Sequence, residues 1–280
     1  MKVYEVSAFS KDNIGGNKAG VIIKNQVLSH HQKQKVASKL GYSETVFVST
    51  NSLNREVDYK LEYYTPTQQI ELFGHATIAT FVLLKLKNLL IKNNYKIQTL
   101  SGVLDINIDD NIFMEVKNPF FGKVIDKKEI ENCFESNAID NKLDCQIVST
   151  GVEDIIVAIN DCEYLKNMNV NLEKIELLSK KLGVCGIHAY AIDNNNIYTR
   201  NFAPYYGINE ESATGTANSA LACFLYKNNL FKKECYTFNQ GQWMGLPSQI
   251  KVKLITKNDE ISKVFVGGKG YINKEFEIEI

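Results

Sequence analysis

The chain reads ATIATFVLLKLKNLL at residues 76–90 and ANSALACFLYKNNL at residues 217–230. Both stretches have the length of a helix, and residues 78–84 and 220–225 are apolar on nearly every side. A helix that lacks a polar face has to be enclosed by other elements. We therefore predict one fully buried helix in each half of the chain.

The two stretches are also similar to each other at a spacing of 141 residues, about half of the chain. This spacing aligns Gly74 with Gly215, Ala76 with Ala217, Ala79 with Ala220 and Leu84 with Leu225. The position of each stretch near the middle of its half favours a duplication. The predicted fold is α+β, with two similar domains that each wrap a curved, mainly antiparallel sheet around a central buried helix.

Short segments with alternating polar and apolar residues surround these stretches, as in half-buried antiparallel strands. They cover residues 57–64, 103–108, 187–192 and 250–255. Asn- and Asp-rich clusters at 109–111 and 193–196 predict hairpin turns. Weaker amphipathic patterns predict helices at 29–40 and 171–182.

The boundary between the domains is predicted near Pro119, which follows a strand-like segment. The first domain would cover residues 1–118 and the second residues 119–280. A C-terminal strand near 270–280 is a candidate addition to the first domain.

The composition argues against several classes of function. Lys+Arg and Asp+Glu are both 32, so the net charge is zero and favours neither nucleic acid nor a membrane as a partner. The six cysteines show no CxxC spacing, which argues against a structural metal site. Free thiols without an apparent secretion signal predict a cytoplasmic protein.

Each predicted buried helix begins with a glycine beside a polar residue, Gly74-His75 and Gly215-Thr216. The first turn of a helix presents unpaired N–H groups, and a glycine lets an anionic ligand approach them. Two such ends facing one cleft could bind a carboxylate. The alternative is ordinary N-capping by threonine and packing by glycine, which the spacing alone favours.

Glu44 lies in the segment GYSETVFV at residues 41–48, between a predicted helix and a predicted strand. Taken alone it is an exposed loop carboxylate. As a general base it would need burial in an apolar cleft, which raises the pKa of a carboxyl group. His75 alone fits a core or capping role, and Glu210 and Glu211 alone fit the charge preference of a helix start.

Several short motifs follow one another along residues 1 to about 270. They are Phe9 with Gly15-Gly16-Asn17, Ser43-Glu44-Thr45-Val46-Phe47-Val48, Tyr64-Thr65-Pro66, Gly74-His75-Ala76-Thr77, Ser101-Gly102, Arg200-Asn201-Phe202-Ala203-Pro204, Gly207-Ile208, Thr214-Gly215-Thr216-Ala217 and Gln240-Gly241. In this order they resemble the phenazine-biosynthesis isomerase (PhzF-like) family, which has the diaminopimelate-epimerase fold.

The resemblance implies an isomerase that shuttles a proton without a metal, nucleotide or flavin, and it implies a homodimer. Glu44 matches the catalytic glutamate of the family, with His75 and Glu211 as assisting groups. The implied substrate-binding residues are Asn17, Ser43, Gly74, Ser212, Gly215 and Thr216.

The chain departs from the family pattern at four places. Glu211 and Ser212 stand where Asp and Pro are usual, Lys18 replaces a proline, and Gln69 replaces an acidic residue. The two-thiol epimerases of this fold are excluded on chemistry, because the places of their thiols are matched here by Phe73 and Ser212.

The sequence therefore predicts an isomerase that acts on a small carboxylate-bearing molecule. Glu44 would move a proton between two carbons in an allylic 1,3 shift on one face. The founding activity of the family, isomerisation of a dihydro-hydroxyanthranilate, is one candidate. Two alternatives stay open: a racemase or epimerase of amino or hydroxy acids, and a non-catalytic small-molecule binding protein.

Overall fold

A computed structural model describes residues 1–23, 28–50, 56–71, 74–134 and 138–279. Contacts between residues divide the chain into two compact units. The first is Met1–Glu115 with Gly267–Ile280, and the second is Val116–Val266. The predicted domain limits, 1–118 and 119–280, stay a prediction.

The chain begins with the elements of the first unit. In order these are β1 (Lys2–Ala8), β2 (Asn17–Ile23), α1 (His30–Leu40), β3 (Thr45–Thr50), β4 (Tyr59–Tyr64), β5 (Gln69–Ile70), α2 (Gly74–Leu86), β6 (Asn94–Thr99), β7 (Gly102–Ile108) and β8 (Ile112–Val116).

The elements that follow lie in the second unit, up to the last strands. They are β9 (Phe120–Ile125), α3 (Lys127–Glu131), β10 (Cys145–Ser149), β11 (Glu153–Ala158), α4 (Cys162–Asn167), α5 (Leu172–Leu182), β12 (Gly186–Asp193), β13 (Asn196–Ala203), β14 (Ile208–Glu211), α6 (Gly215–Lys227), β15 (Cys235–Gln240), β16 (Ser248–Lys257), β17 (Glu260–Gly268) and β18 (Gly270–Glu277), which pairs with β1.

The pairing of strands is repeated between the units. In the first unit β1 is antiparallel to β2, β2 is parallel to β3, β3 is antiparallel to β4, β4 is parallel to β6, and β6 is antiparallel to β7. The second unit repeats these five pairings with β10, β11, β12, β13, β15 and β16. This repeat confirms the predicted duplication and the α+β fold, with parallel pairs inside mainly antiparallel sheets.

The two buried helices confirm the central expectation from the sequence. Helices α2 and α6 begin at Gly74 and Gly215, the spacing at which the sequence repeats. Residues 78–84 are at most 3% exposed and residues 220–225 at most 2%. Helix α2 packs on β1, β2, β3 and β18, and α6 packs on β10, β11, β12 and β16. Each unit thus encloses one apolar helix within its own strands.

The weaker amphipathic helices also form where they were predicted. Ser29 caps α1 in a capping box with Gln32, because each side chain bonds the other's backbone N–H. Asn171 caps α5 by accepting from the N–H of Lys174. These caps define the starts of both helices locally, which is why sequence patterns find them.

We expect enclosure of α2 to dominate the stability of the first unit. Ile78 is fully buried, whereas Leu86 at the end of the same helix is 54% exposed. Ile78→Ala should lower the free energy of unfolding by about 2–5 kcal/mol, because it removes buried methyl groups and leaves a cavity. Leu86→Ala, the matched control, should cost less than about 1 kcal/mol in the same urea titration. Equal losses would contradict the enclosed position of α2.

Candidate active site

Glu44 is held at one end of the sheet of the first unit. It precedes β3, and the backbone N–H of Gly20 in β2 donates to its carbonyl at 2.9 Å. Because β2 and β3 are parallel, Asn17 at the start of β2 lies at the same end. The Glu44 side chain is buried, so the interpretation as an exposed loop carboxylate is wrong.

The Glu44 carboxylate has two close partners. Nε2 of His75, the second residue of α2, lies 2.7 Å from Oε2 of Glu44, and both side chains are only 6% exposed. The hydroxyl of Ser43 donates to the same oxygen at 2.6 Å. In the first unit Ser43, Glu44 and His75 are therefore in contact, with Gly74 next to His75 and Asn17 at the same end of the sheet.

The electrostatic state of Glu44 differs from the expectation. Burial raises the pKa of this carboxyl group, but the charge of His75 and the hydrogen bonds from His75 and Ser43 outweigh it and hold the pKa below its usual value. The prediction of a raised pKa was wrong, because it counted burial without the buried imidazole. Glu44 is therefore ionised at neutral pH, and its protonated form gives up a proton readily.

Gly74 opens the first turn of α2. Among the described residues, a Cβ built at this residue would meet only the end of the Met114 side chain, at an ordinary contact distance of 3.5 Å. Packing inside the protein does not require glycine here. A glycine at a helix start is typical of a site where a ligand approaches the backbone closely.

The second unit assembles the other predicted residues around the start of α6. Glu211 ends β14, buried Ser212 follows it, and Gly215 and Thr216 begin the helix. The hydroxyl of Thr214 donates to Oε2 of Glu211 at 2.6 Å and makes no capping bond to the helix. The interpretation as ordinary threonine capping was therefore wrong.

Asp154 in β11 was not found from the sequence. Its side chain is fully buried beside Asn201 and Glu211, and one of its oxygens has no hydrogen-bond partner within the described ranges. Burial and the charge of Glu211 raise the pKa of Asp154 to about 7, against the hydrogen bond from Asn201. An aspartate inside the apolar strand EDIIVA, residues 153–158, was the available signal.

Two negative findings apply to the described part of the chain. Within it, there is no group of three or more His, Cys, Asp or Glu side chains arranged to hold a metal ion. None of the helices described is both long enough and apolar enough to cross a membrane. Phe73, one of the places matched to an epimerase thiol, lies outside the described residues.

The raised pKa of Asp154 predicts how stability depends on pH. The folded state binds a proton up to about pH 7, whereas an unfolded aspartate releases it near 3.8, so stability is lost as the pH rises between these values. Asp154→Asn cannot ionise and should avoid this loss. Its stability relative to the parent should rise by on the order of 2 kcal/mol from pH 5 to pH 8 in urea unfolding.

Asp144→Asn is the matched control, because Asp144 is exposed. Asp144→Asn should change the free energy of unfolding by less than about 0.5 kcal/mol. A pH-independent effect of Asp154→Asn would show that Asp154 is ionised throughout this range.

The chain is similar to known proteins over nearly its whole length. The family described as phenazine biosynthesis-like protein matches residues 6–275. An uncharacterized isomerase of Clostridium acetobutylicum is 30% identical, over 96% of this chain and 95% of that protein. A PhzF-family phenazine biosynthesis protein from Bacillus anthracis superposes with a TM-score of 0.89 at 25% identity, over 100% of this chain and 99% of that one.

The fold extends to more distant enzymes. A hydroxyproline epimerase from Agrobacterium vitis, solved with bound trans-4-hydroxy-L-proline, superposes with a TM-score of 0.64 at 12% identity, over 99% of this chain and 91% of that one. At this identity the likeness concerns the fold alone. With the match over nearly the whole chain, the protein belongs to the phenazine biosynthesis-like (PhzF) family, and it is an isomerase with the fold of the racemases and epimerases related to diaminopimelate epimerase.

Proposed function

We propose that this isomerase moves a proton on a small carboxylate-bearing substrate with Glu44 as general acid and base and without a cofactor. The buried contact of 2.7 Å between Glu44 and His75 is the observation that carries the proposal. It supplies an ionised carboxylate in a largely dry environment, which is the state needed to accept a proton from carbon.

The reaction would run in two proton transfers. Glu44 takes a proton from an acidified carbon, the C–H electron pair enters the allylic system, and the double bond moves by one position. The protonated Glu44 then returns the proton to the far carbon of that system. Because its pKa is held low, the acid form donates readily, and one residue can perform both steps.

Other residues would hold the substrate and its developing charge. In this proposal the N–H groups at the starts of α2 and α6, beside Gly74 and Gly215, bind the substrate carboxylate, with Asn17, Ser43, Ser212 and Thr216 as further polar contacts. His75 and Glu211 assist or relay the proton. From the sequence and the resemblance we also propose a cytoplasmic homodimer.

A second candidate is a racemase or epimerase of an amino or hydroxy acid. The likeness of the fold to a hydroxyproline epimerase favours considering it. It would need Glu44 together with another acid, because Ser212 is too weak a base to replace a thiol. The third candidate, a binding protein without catalysis, would retain the carboxylate site and exchange no protons.

Heavy water separates these candidates. The protein is incubated in deuterium oxide with a dihydro-hydroxyanthranilate and, separately, with an extract of small metabolic acids, and mass spectrometry follows deuterium uptake. Uptake with a moved double bond supports the isomerase, and uptake with an inverted stereocentre supports the epimerase. Absence of uptake from every compound would leave the binding protein as the remaining candidate.

Glu44→Gln tests the base directly. Glutamine keeps the size of the side chain but cannot accept and return a proton at neutral pH. Turnover should fall by about 10²–10⁴-fold while substrate binding stays close to that of the parent. Glu44→Asp should be intermediate, because its carboxylate is one methylene short.

The pH profile completes this test. Activity of the parent should fall in acid as Glu44 is protonated, and the residual activity of Glu44→Gln should lack that acidic limb. The base is misassigned if Glu44→Gln retains near-parental turnover while variants of His75 or Glu211 are inactive.

The helix-start site predicts a preference for acids over amides. Anthranilate and anthranilamide serve as probes that differ in the charged group alone, and calorimetry measures their binding. The acid should bind at least several-fold more tightly, because charged hydrogen bonds and the helix dipole favour an anion. The packing around Gly74 accommodates alanine, so Gly74→Ala should fold, and it should weaken the binding of the acid more than the binding of the amide. Equal binding of both probes by the parent would contradict the assignment of Gly74.

A further inference from the structure

A chain of polar side chains lies inside the second unit, behind the start of α6. Its members are at most 1% exposed and come from three strands and a helix: His188, Thr199, Asn201, Asn218 and Gln240. Buried polar groups are costly unless they are hydrogen-bonded, so the direction of every bond in such a chain matters.

Asn218 uses both ends of its amide. Its Oδ1 lies 3.3 Å from Nε2 of His188 and accepts from the hydroxyl of Thr199 at 3.3 Å. Its Nδ2 donates to the carbonyl of Thr214 at 2.8 Å and to Oε1 of Gln240 at 2.7 Å. These four contacts fix which end is oxygen and which is nitrogen.

The Gln240 amide continues the chain of hydrogen bonds to Thr214 and Glu211, and its oxygen and nitrogen are likewise fixed by their partners. Its Oε1 also accepts from the N–H of Thr214 at 3.1 Å. Its Nε2 donates to the carbonyl of Glu211 at 2.7 Å and to the Thr214 hydroxyl at 3.0 Å. Because that hydroxyl accepts from Gln240, its own proton points to Oε2 of Glu211, 2.6 Å away.

His188 lies at the other end of the chain, against the oxygen of Asn218. Since Asn218 presents an oxygen, the imidazole proton has to be on Nε2, and Nδ1 then accepts from Nδ2 of Asn201 at 3.3 Å. Burial lowers the pKa of His188 to about 3, which keeps the ring neutral. A protonated ring would put a hydrogen on Nδ1 against the Asn201 amide.

The duplicated fold offers an internal comparison. In the parallel pairs at the centre of each unit, Ile156 pairs with His188 where Ile22 pairs with Phe47. Phe47 is a fully buried apolar residue. The same strand position is therefore filled without a polar group in the first unit, so the fold does not require the His188 chain.

We propose that His188 is a positioning residue for Glu211, acting through the oriented amide chain that aims the Thr214 hydroxyl at the carboxylate. This inference rests on the proposed function, in which Glu211 assists proton transfer. By accepting the Thr214 proton, one oxygen of Glu211 is held in place, and the basicity of the carboxylate is lowered.

The first test determines which ring nitrogen of His188 carries the proton in the full-length parent protein. Nitrogen NMR of protein labelled at histidine should show His188 as the neutral tautomer with the proton on Nε2 from pH 5 to pH 8, with His188→Gln used to assign the signal. A ring that is protonated at pH 6, or that carries its proton on Nδ1, would overturn the proposal.

The second test measures the ionisation of the Glu211 carboxyl group in the absence of a substrate. Carbon NMR follows the titration midpoint of its carboxyl group in the parent, Thr214→Val, His188→Leu and the double variant. Each single variant should raise the midpoint by roughly 0.5–1 pH unit, because a hydrogen bond to the charged form is lost or misdirected. The double variant should shift no further than Thr214→Val, since both changes act through one bond.

Two further variants make the result specific. His188→Gln retains an acceptor and a donor, so it should restore part of the parental midpoint, and it serves if His188→Leu does not fold. Phe47→Leu, at the equivalent position of the first unit, should lower stability without moving the Glu211 midpoint.

The outcomes separate this proposal from the proposed function. A shift with Thr214→Val but not with the His188 variants would overturn the role of His188. If the midpoints shift as expected while Glu211→Gln keeps full turnover, the positioning chain stands and the assisting role of Glu211 fails.

Discussion

The structure depends on the enclosure of two helices that have no polar face. Apolar side chains all around α2 and α6 can be removed from water only if strands surround each helix, and the curved sheets follow from that requirement. A helix enclosed along its length can meet a ligand only at an end. The N-terminus of the helix carries the unpaired N–H groups. Polar side chains therefore lie around Gly74 and Gly215, where the helices begin and the apolar core ends.

Two buried carboxyl groups show how neighbours decide the protonation state at similar burial. The pKa of Glu44 is lowered because the charge and hydrogen bond of His75, with the Ser43 hydroxyl, outweigh burial, whereas the pKa of Asp154 is raised mainly by burial and further by the charge of Glu211. Burial raises the pKa of both groups, and they differ in the sign of the neighbouring charge and in the hydrogen bonds that they accept. Near neutral pH one carboxyl group is therefore ionised, whereas the other still binds a proton up to about pH 7.

Much of this architecture was accessible from the sequence, because it is encoded locally. The caps at Ser29 and Asn171 and the apolar helices are properties of neighbouring residues, and the ordered motifs singled out Glu44 and His75, whose side chains are in contact. The low pKa of Glu44 and the surroundings of Asp154 and His188 depend on partners distant in sequence: His75 for Glu44, Asn201 and Glu211 for Asp154, and Asn218 for His188. A strand pattern marks such residues as polar within an apolar run, but it does not show what they contact.

The repeated strand order has a consequence for how the two copies have diverged. Cys185 precedes β12 as Glu44 precedes β3, at the spacing that relates the two helices. Burial and the charges of Asp154 and Glu211 raise the pKa of the Cys185 thiol, which therefore stays protonated and is a poor base. The two units thus repeat the same strand and helix arrangement, but they carry chemically different residues at this position. The need to enclose a helix constrains both copies in the same way. It does not fix the residue that precedes the central strand, so the same fold holds an ionised carboxylate in one half and a protonated thiol in the other.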